Sequence, residues 1–249
     1  GLTWGGSLTR TEATGYGLCY FTEAMLNDKQ DSFKGKTVIV SGSGNVAIYA
    51  VEKATQLGAR VVAMCDSAGY IYDKNGIDLD TVKNIKEVRR GRIKEYVQDH
   101  ADAQYHEGTG IWSIPCDIAL PCATQNELNE QDAEMLIKNG VKAVCEGANM
   151  PCTPKAIERF QTNHVLYAPG KASNAGGVAV SGLEMSQNSL RMAWSFEEVD
   201  EKLQQIMNEI YRTVADTAKE YDMEDNFMAG ANIAGFLKVA QAMMSQGIV

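Results

Sequence analysis

The chain has 249 residues, 45% of them apolar and 22% charged, which is ordinary globular composition with enough apolar side chains for a sizeable core. Its formal charge of −9, from 32 acidic against 23 basic residues, repels nucleic acid and anionic membranes, and no basic stretch is interleaved with aromatics. No apolar run reaches the roughly 18–20 residues that cross a bilayer, and the opening GLTWGGSLTR has no basic stretch followed by an apolar one, so it does not read as a secretory signal.

In chain order, short β-branched runs alternate with helical segments, which predicts a parallel α/β sheet. Residues 11–26 read as an opening helix despite their glycines. Thr37-Val-Ile-Val-Ser41 reads as a strand buried on both faces, because it lacks polar alternation. A helix is expected over 45–57, a second strand over Arg60–Cys65, and one long helix over about 79–98. Further short strands are expected at Cys116–Leu120, Ala143–Cys145 and Val165–Tyr167, with helices near 129–139 and 154–162 between them. From about residue 177 the strands stop, and 177–191, 196–221 and 227–245 read as three helices with apolar residues three and four apart. The expected architecture is a Rossmann-like, doubly wound, mostly parallel sheet with an all-helical C-terminal tail. No linker or repeat divides it, so residues 1–249 are read as one domain.

The six cysteines stand at 19, 65, 116, 122, 145 and 152, with no CxxC pair, and His100, His106 and His164 lie apart from them. Metal binding is not expected, and most of the thiols sit in apolar runs, as small packing residues of a cytoplasmic protein do.

The strongest signal is Val38-Ile-Val-Ser-Gly42-Ser43-Gly44-Asn45-Val46-Ala47, a strand running into Gly-x-Gly-x-x-Ala that opens a helix. Gly42 permits a tight turn, Gly44 lets the backbone approach a diphosphate, and Ala47 keeps the helix close to the strand. The free N–H groups and the positive end of the helix dipole then face phosphate. The motif alone is weak evidence; the flanking strand, the helix and a second strand ending at Asp66 make it a dinucleotide site. Two other glycine clusters compete. Gly108-Thr-Gly110 reads as a plain turn, with no strand before it and no helix after it. Asn174-Ala-Gly-Gly177 reads as a helix cap. For the cofactor, Asp66 favours the ribose hydroxyls of NAD, whereas Ser67 and the cluster of Lys86, Arg89, Arg90 and Arg92 favour the extra phosphate of NADP. That cluster also fits a solvated helix face. These residues leave the choice open.

Six blocks together resemble the hexameric bacterial glutamate dehydrogenases, and the NADP-dependent members most. They are Gly5-Gly-Ser-Leu8, Arg10-Thr-Glu-Ala-Thr14-Gly-Tyr-Gly17, Ser41–Ala47, Leu120-Pro-Cys-Ala-Thr-Gln-Asn-Glu127, Cys145-Glu-Gly-Ala-Asn149-Met-Pro151, and Asn174-Ala-Gly-Gly-Val178 continuing through Ser181 to Asn188. The resemblance implies that Thr14 and Asn45 touch the cofactor with Arg10 nearby. It implies that Ala123, Thr124 and Asn149 border the ribose and nicotinamide, and that Asn174 lies near the nicotinamide. Val178 would line the apolar part of the substrate pocket, and Ser181 would hydrogen-bond the substrate side-chain carboxylate. A helix serine can instead bond its own backbone. Ser67, Lys86 and Arg89 match the NADP-using pattern, so NADP is expected, with NAD as the other choice.

The same resemblance implies glutamate, 2-oxoglutarate and ammonia as substrates of the whole enzyme and a homo-hexamer as its assembly. In the family a substrate-binding domain carrying the catalytic lysines and aspartate comes first, and no counterpart of it is found here. The chain is therefore expected to be the cofactor domain alone, with no catalytic residue of its own and compatible with a monomer. Two rival readings are a domain of a leucine, phenylalanine or valine dehydrogenase, for which Ser181 would have no carboxylate to meet, and a non-catalytic dinucleotide-binding module.

Overall fold

Within residues 3–247, which the computed structural model describes, the apolar run at Thr37–Val40 forms strand β1. It is followed by β2 Arg60–Cys65, β3 Gly69–Tyr72, β4 Gln104–Glu107, β5 Ile118–Leu120, β6 Ala143–Cys145 and β7 Leu166–Ala168. They make one sheet in the order β4-β3-β2-β1-β5-β6-β7. β2, β1, β5, β6 and β7 run parallel, while β3 and β4 add antiparallel to the β2 edge. The sheet is wound in both directions from its middle. After β1 the chain steps outward through β2, then returns to pair β5 on the other side of β1. That reversal opens a crevice at the carboxyl ends of β1 and β5, the place where doubly wound sheets bind ligands.

Both faces are covered, as the unbroken apolar strands predicted. Val38, Val40, Ile118, Leu120, Ala143, Cys145 and Ala168 point into one core cluster. Ile39, Ala119, Val144 and Tyr167, which alternate with them, point into the other. A register shift between Val38 and Ile39 lets β2 step by one residue against β1.

The first cluster is roofed by α1 Ala13–Asp28, α2 Asn45–Gln56 and the helical tail. The glycines that looked awkward in the opening helix are contact points. A Cβ on Gly15 would lie 2.5 Å from the Ala50 nitrogen, and one on Gly17 would lie 2.8 Å from the Gly176 Cα. Each such glycine costs a helix up to about 1 kcal/mol of propensity, and here close backbone packing offsets it. The other helices are α3 Leu79–Lys83, α4 Tyr96–Asp99, α5 Glu130–Lys138, α6 Pro154–Thr162, α7 Gly170–Ser173, α8 Gly176–Leu190, α9 Phe196–Glu220 and α10 Phe227–Gln246. Side-chain caps from Asn129, Thr153, Ser195 and Asn226 start α5, α6, α9 and α10, each worth about 1 kcal/mol. α9 lays Val199, Leu203, Met207 and Tyr211 into the first cluster, so the tail packs onto the helices that cover the sheet.

Two expectations are corrected. The long helix over 79–98 is broken: α3 passes into a π turn over Asn84–Val88, Arg90 takes a left-handed φ of 54°, and only a 3-10 turn over Ile93–Glu95 precedes α4. The Gly91 N–H donates to the Ile85 carbonyl at 2.8 Å and the Ile93 N–H to Asp66 at 3.0 Å, which diverts both from a straight helical ladder. In addition, Gly108-Thr-Gly110 does have a strand before it, β4, and a 3-10 turn after it, Ile111–Ser113. β3 and β4 were not foreseen, because β4 is a polar edge strand held by its ladder rather than by buried side chains.

Candidate functional site

The loop after β1 folds as the glycine pattern requires. Gly42 has a φ of +86°, where a Cβ would lie 3.1 Å from both the Ala123 Cα and the Cys122 carbonyl. Gly44 has an unstrained φ of −90°, and a Cβ there would meet nothing within 4 Å. It faces open space. Asn45, Val46 and Ala47 begin α2 ahead of its first intrahelical bond, Ile48 N–H to the Gly44 carbonyl at 2.9 Å, and no side chain caps them. Free N–H groups at a helix start beside an open glycine form a cradle that a diphosphate fits.

On one side of this cradle lies a crevice of about 590 Å³. Its floor is Gly42, Ser43, Gly44, Ala123 and Thr124; its far wall is Asp66, Ser67 and Arg92; its outer wall is Tyr70 with Gly108–Trp112. On the other side a crevice of about 440 Å³ is lined by Thr14, Val46, Asn149, Asn174 and Val178 among others. Cys122 and Ala123 line both. The two crevices therefore meet at the end of β5, as the two halves of a dinucleotide require. Asn174 Nδ2 donates to Asn149 Oδ1 at 2.8 Å, so the cluster read as a helix cap is a wall of the second crevice.

The far wall sorts the basic cluster. Arg92 Nη1 donates to Ser67 Oγ at 2.9 Å. Lys86 Nζ donates to the Gly91 carbonyl at 3.1 Å and does not line the crevice. Arg89 turns away to Glu95 at 3.4 Å and Asp99 at 4.0 Å. The chain's break at Arg90 and Gly91 brings Arg92 to the wall, while Arg89 does not line it. Both oxygens of Asp66 are engaged, Oδ1 by the Ala68 N–H at 2.8 Å and Oδ2 by the Ile93 N–H at 3.0 Å. Burial alone would raise this carboxyl, but the two N–H donors, with Lys86 and Arg92, outweigh it and hold Asp66 below the usual aspartate range.

Three other expected residues lie outside both crevices. Arg10 and Asn45 are exposed and line neither. Ser181 lies one turn of α8 beyond Val178 and donates to the Gly177 carbonyl at 3.0 Å, the backbone bond open to any helix serine. The wall residues Tyr70, Thr109 and Trp112 were missed because the antiparallel pair β3 and β4, which carries the first and leads into the other two, was missed. Tyr70 stacks on His106 across that strand pair, with ring centroids 4.9 Å apart.

Glu127 was also overlooked. One oxygen accepts from Ser41 Oγ at 2.8 Å, the Ala123 N–H at 3.0 Å and the Thr124 N–H at 3.3 Å, tying the end of β1 to the loop after β5. Burial raises its carboxyl above the usual value in spite of these bonds. An acid raised in this way binds its proton more tightly folded than unfolded, so the stability it gives is present at low pH and fades as pH rises past 4.5 towards the raised value. Glu127→Gln should therefore melt above the parent at pH 8 and level with it near pH 4. A gap equal at both pH values would assign the effect to packing.

All six cysteines are unpaired, and burial pushes the Cys65 thiol on the crevice wall up to about 12.

A doubly wound sheet with a glycine turn and an open helix start at its switch point defines a Rossmann-like dinucleotide-binding fold. Residues 5–247 match the family described as Glutamate/Leucine/Phenylalanine/Valine dehydrogenase, and the chain belongs to it. It is 56% identical over 255 residues to the NADP-specific glutamate dehydrogenase of Helicobacter pylori strain J99, covering 100% of this chain and 57% of that one. It is 57% identical over 251 residues to the NAD(P)-specific glutamate dehydrogenase of Xylanibacter ruminicola, covering 100% and 56%. The crystal structure of Plasmodium falciparum glutamate dehydrogenase superposes with a TM-score of 0.97 at 47% identity, covering 100% of this chain and 54% of that one. The chain thus spans about half the length of the curated relatives it matches.

Proposed function

We propose that this chain is a single cofactor-binding domain of a glutamate dehydrogenase and that it binds NADP(H). The observation that carries the reading is the pair of crevices joined beneath the Gly42–Ala47 turn. Relatives above 50% identity named NADP-specific support the choice of cofactor. In this reading the diphosphate sits on the α2 N–H groups, and the adenine lies against Tyr70 and Trp112. Ser67 and Arg92 take the 2′-phosphate, with Lys86 adding positive potential from behind. Thr14, Asn149 and Asn174 surround the nicotinamide, and Val178 and Ser181 face the substrate. A bound NADP would supply the hydride-transfer chemistry between glutamate and 2-oxoglutarate plus ammonia. The chain binds it, orients the ring and excludes water.

The nicotinamide-side crevice contains one titratable side chain among the described residues, Cys122, and burial pushes that thiol far above its ordinary value. No group there is tuned for acid–base work, so the chain by itself is read as binding cofactor without oxidising glutamate. In the whole protein, a cytoplasmic hexamer in this reading, those groups come from other residues. Among the described residues no helix is long and apolar enough to cross a membrane.

Fluorescence titration with NADPH and NADH tests the reading. Arg92→Ala removes a charge-assisted partner worth about 1.5–3 kcal/mol, so NADPH should weaken roughly 10- to 100-fold while NADH hardly changes. Lys86→Ala should show the same selectivity with a smaller loss. Equal losses for both cofactors would remove these residues from the 2′-phosphate, and failure of the parent chain to bind either cofactor would overturn the reading.

A further inference from the structure

Glu146, directly after β6, is a carboxylate only 3% exposed. None of the ion pairs among the described residues involves it. A buried carboxylate without a cation is unfavourable unless hydrogen bonds hold it. Here they come from two separate loops. Oε1 accepts the Cys152 N–H at 3.2 Å, and Oε2 accepts the Gly170 N–H at 2.7 Å. The Glu146 backbone repeats the connection, since its carbonyl accepts Ser173 Oγ at 2.6 Å. Gly170 leaves room for this approach: a Cβ there would lie 3.2 Å from Glu146 Oε2 and 2.8 Å from the Ala148 carbonyl.

The two loops so joined are 146–152 and 169–174. The first carries Asn149 and the second Asn174, whose amides meet at 2.8 Å in the wall of the second crevice. Core packing alone asks for no carboxylate at this position. An apolar side chain would fill the volume while leaving the Cys152 and Gly170 N–H groups unpaired, and a carboxylate offers each of them an oxygen of its own.

We propose that Glu146 is a positioning residue for the nicotinamide half of the cofactor, clamping the 146–152 loop to the 169–174 turn so that the amides of Asn149 and Asn174 are held at the ring. The clamp rests on the cofactor reading given above. It acts on one half of the dinucleotide. The adenosine-side crevice is built from the ends of β1 and β2, the antiparallel β3–β4 edge and the loop after β5. The Glu146 side chain bonds to none of these, and the 146–152 loop meets the last through backbone bonds to Asn126 and Leu128.

The test compares two ligands on the parent chain, Glu146→Gln and Ser173→Ala. NADPH is titrated by the emission of its reduced nicotinamide, and adenosine 2′,5′-bisphosphate, which lacks that ring, by calorimetry. A glutamine has one acceptor oxygen and an NH2 group, so one of the two N–H donors is stranded. NADPH should weaken about five- to tenfold and lose most of its emission change, while the bisphosphate stays within about twofold. Ser173→Ala removes the backbone tie without touching a buried charge, and should act in the same direction more weakly. A merely structural role would weaken both ligands together, in step with the melting temperature, and that outcome overturns the clamp. So does unchanged nicotinamide emission in Glu146→Gln. Should Glu146→Gln not fold, Ser173→Ala decides by the same comparison. Failure of the parent chain to bind either ligand would instead sink the cofactor reading beneath it.

Discussion

Replacing Gly44 by valine is expected to abolish cofactor binding while leaving the fold almost untouched. Its backbone, at φ −90° and ψ −173°, suits any residue, and a Cβ there meets nothing within 4 Å. Gly44 caps α2 without a side-chain bond, but glycine is preferred over valine at a helix start, so folding loses about 1 kcal/mol of capping and regains part of it as the unfolded chain stiffens. The net change should stay within about 1 kcal/mol, or roughly 2–4 °C in melting temperature. The space a valine would fill is the space a diphosphate needs in order to reach the N–H groups of α2. Losing two charge-assisted hydrogen bonds alone costs about 3 kcal/mol or more, which is a fall in NADPH affinity of more than about 100-fold. Binding within tenfold of the parent would mean that the phosphates lie elsewhere, and the proposed function would fall with it.

Gly176→Ala should do the reverse, striking the fold first. A Cβ at this first residue of α8 would lie 2.1 Å from the Ala13 carbonyl oxygen and 3.0 Å from the Gly17 Cα, and no flexible side chain stands there to move aside. α1 and α8 must part, and α1 is fixed on its other side by Gly15 against α2. Overpacking by one methyl usually costs about 1–3 kcal/mol. With backbone on both sides the cost should reach about 3 kcal/mol, a melting temperature lower by roughly 6–12 °C. Affinity should follow, because α8 carries Gly177 and Val178 at the second crevice and Thr14 of α1 faces them. A melting temperature unchanged within 2 °C would show that the two helices are not in close backbone contact.

What could be read from the sequence follows from how locally each element is specified. β1, β2, α2, α6 and the three tail helices lie close to where their apolar periodicity put them. The strands, α2 and α9 set apolar side chains into the core at regular spacing, whereas α10 buries only its start, at Phe227 and Gly230. The phosphate turn was legible for a different reason: its chemistry is done by backbone, so glycine spacing encodes it directly. The wall of the first crevice was not legible in the same way. Tyr70, Thr109 and Trp112 reach it through an antiparallel strand pair whose outer strand is polar, and Arg92 reaches it through a π turn, a left-handed Arg90 and Gly91. Those conformations answer hydrogen bonds from the Gly91 N–H to the Ile85 carbonyl and from the Ile93 N–H to Asp66, which periodicity does not report. The second crevice draws on four separated segments, around Thr14, Val46, Asn149 and Asn174. No spacing links them, and only the resemblance brought them together in advance.

The meeting of two pockets at one point, Cys122 and Ala123, means that in the proposed binding mode the diphosphate would serve as a tether. Once the adenosine end is seated, the nicotinamide end is confined at an effective concentration set by a few bonds rather than by the bulk solution. The adenosine side can therefore carry most of the residence time, and the ring can leave and re-enter its own pocket without the whole molecule dissociating. In that mode, selection for one cofactor over the other would be separated in space from placement of the reacting carbon, so either could change without disturbing the other.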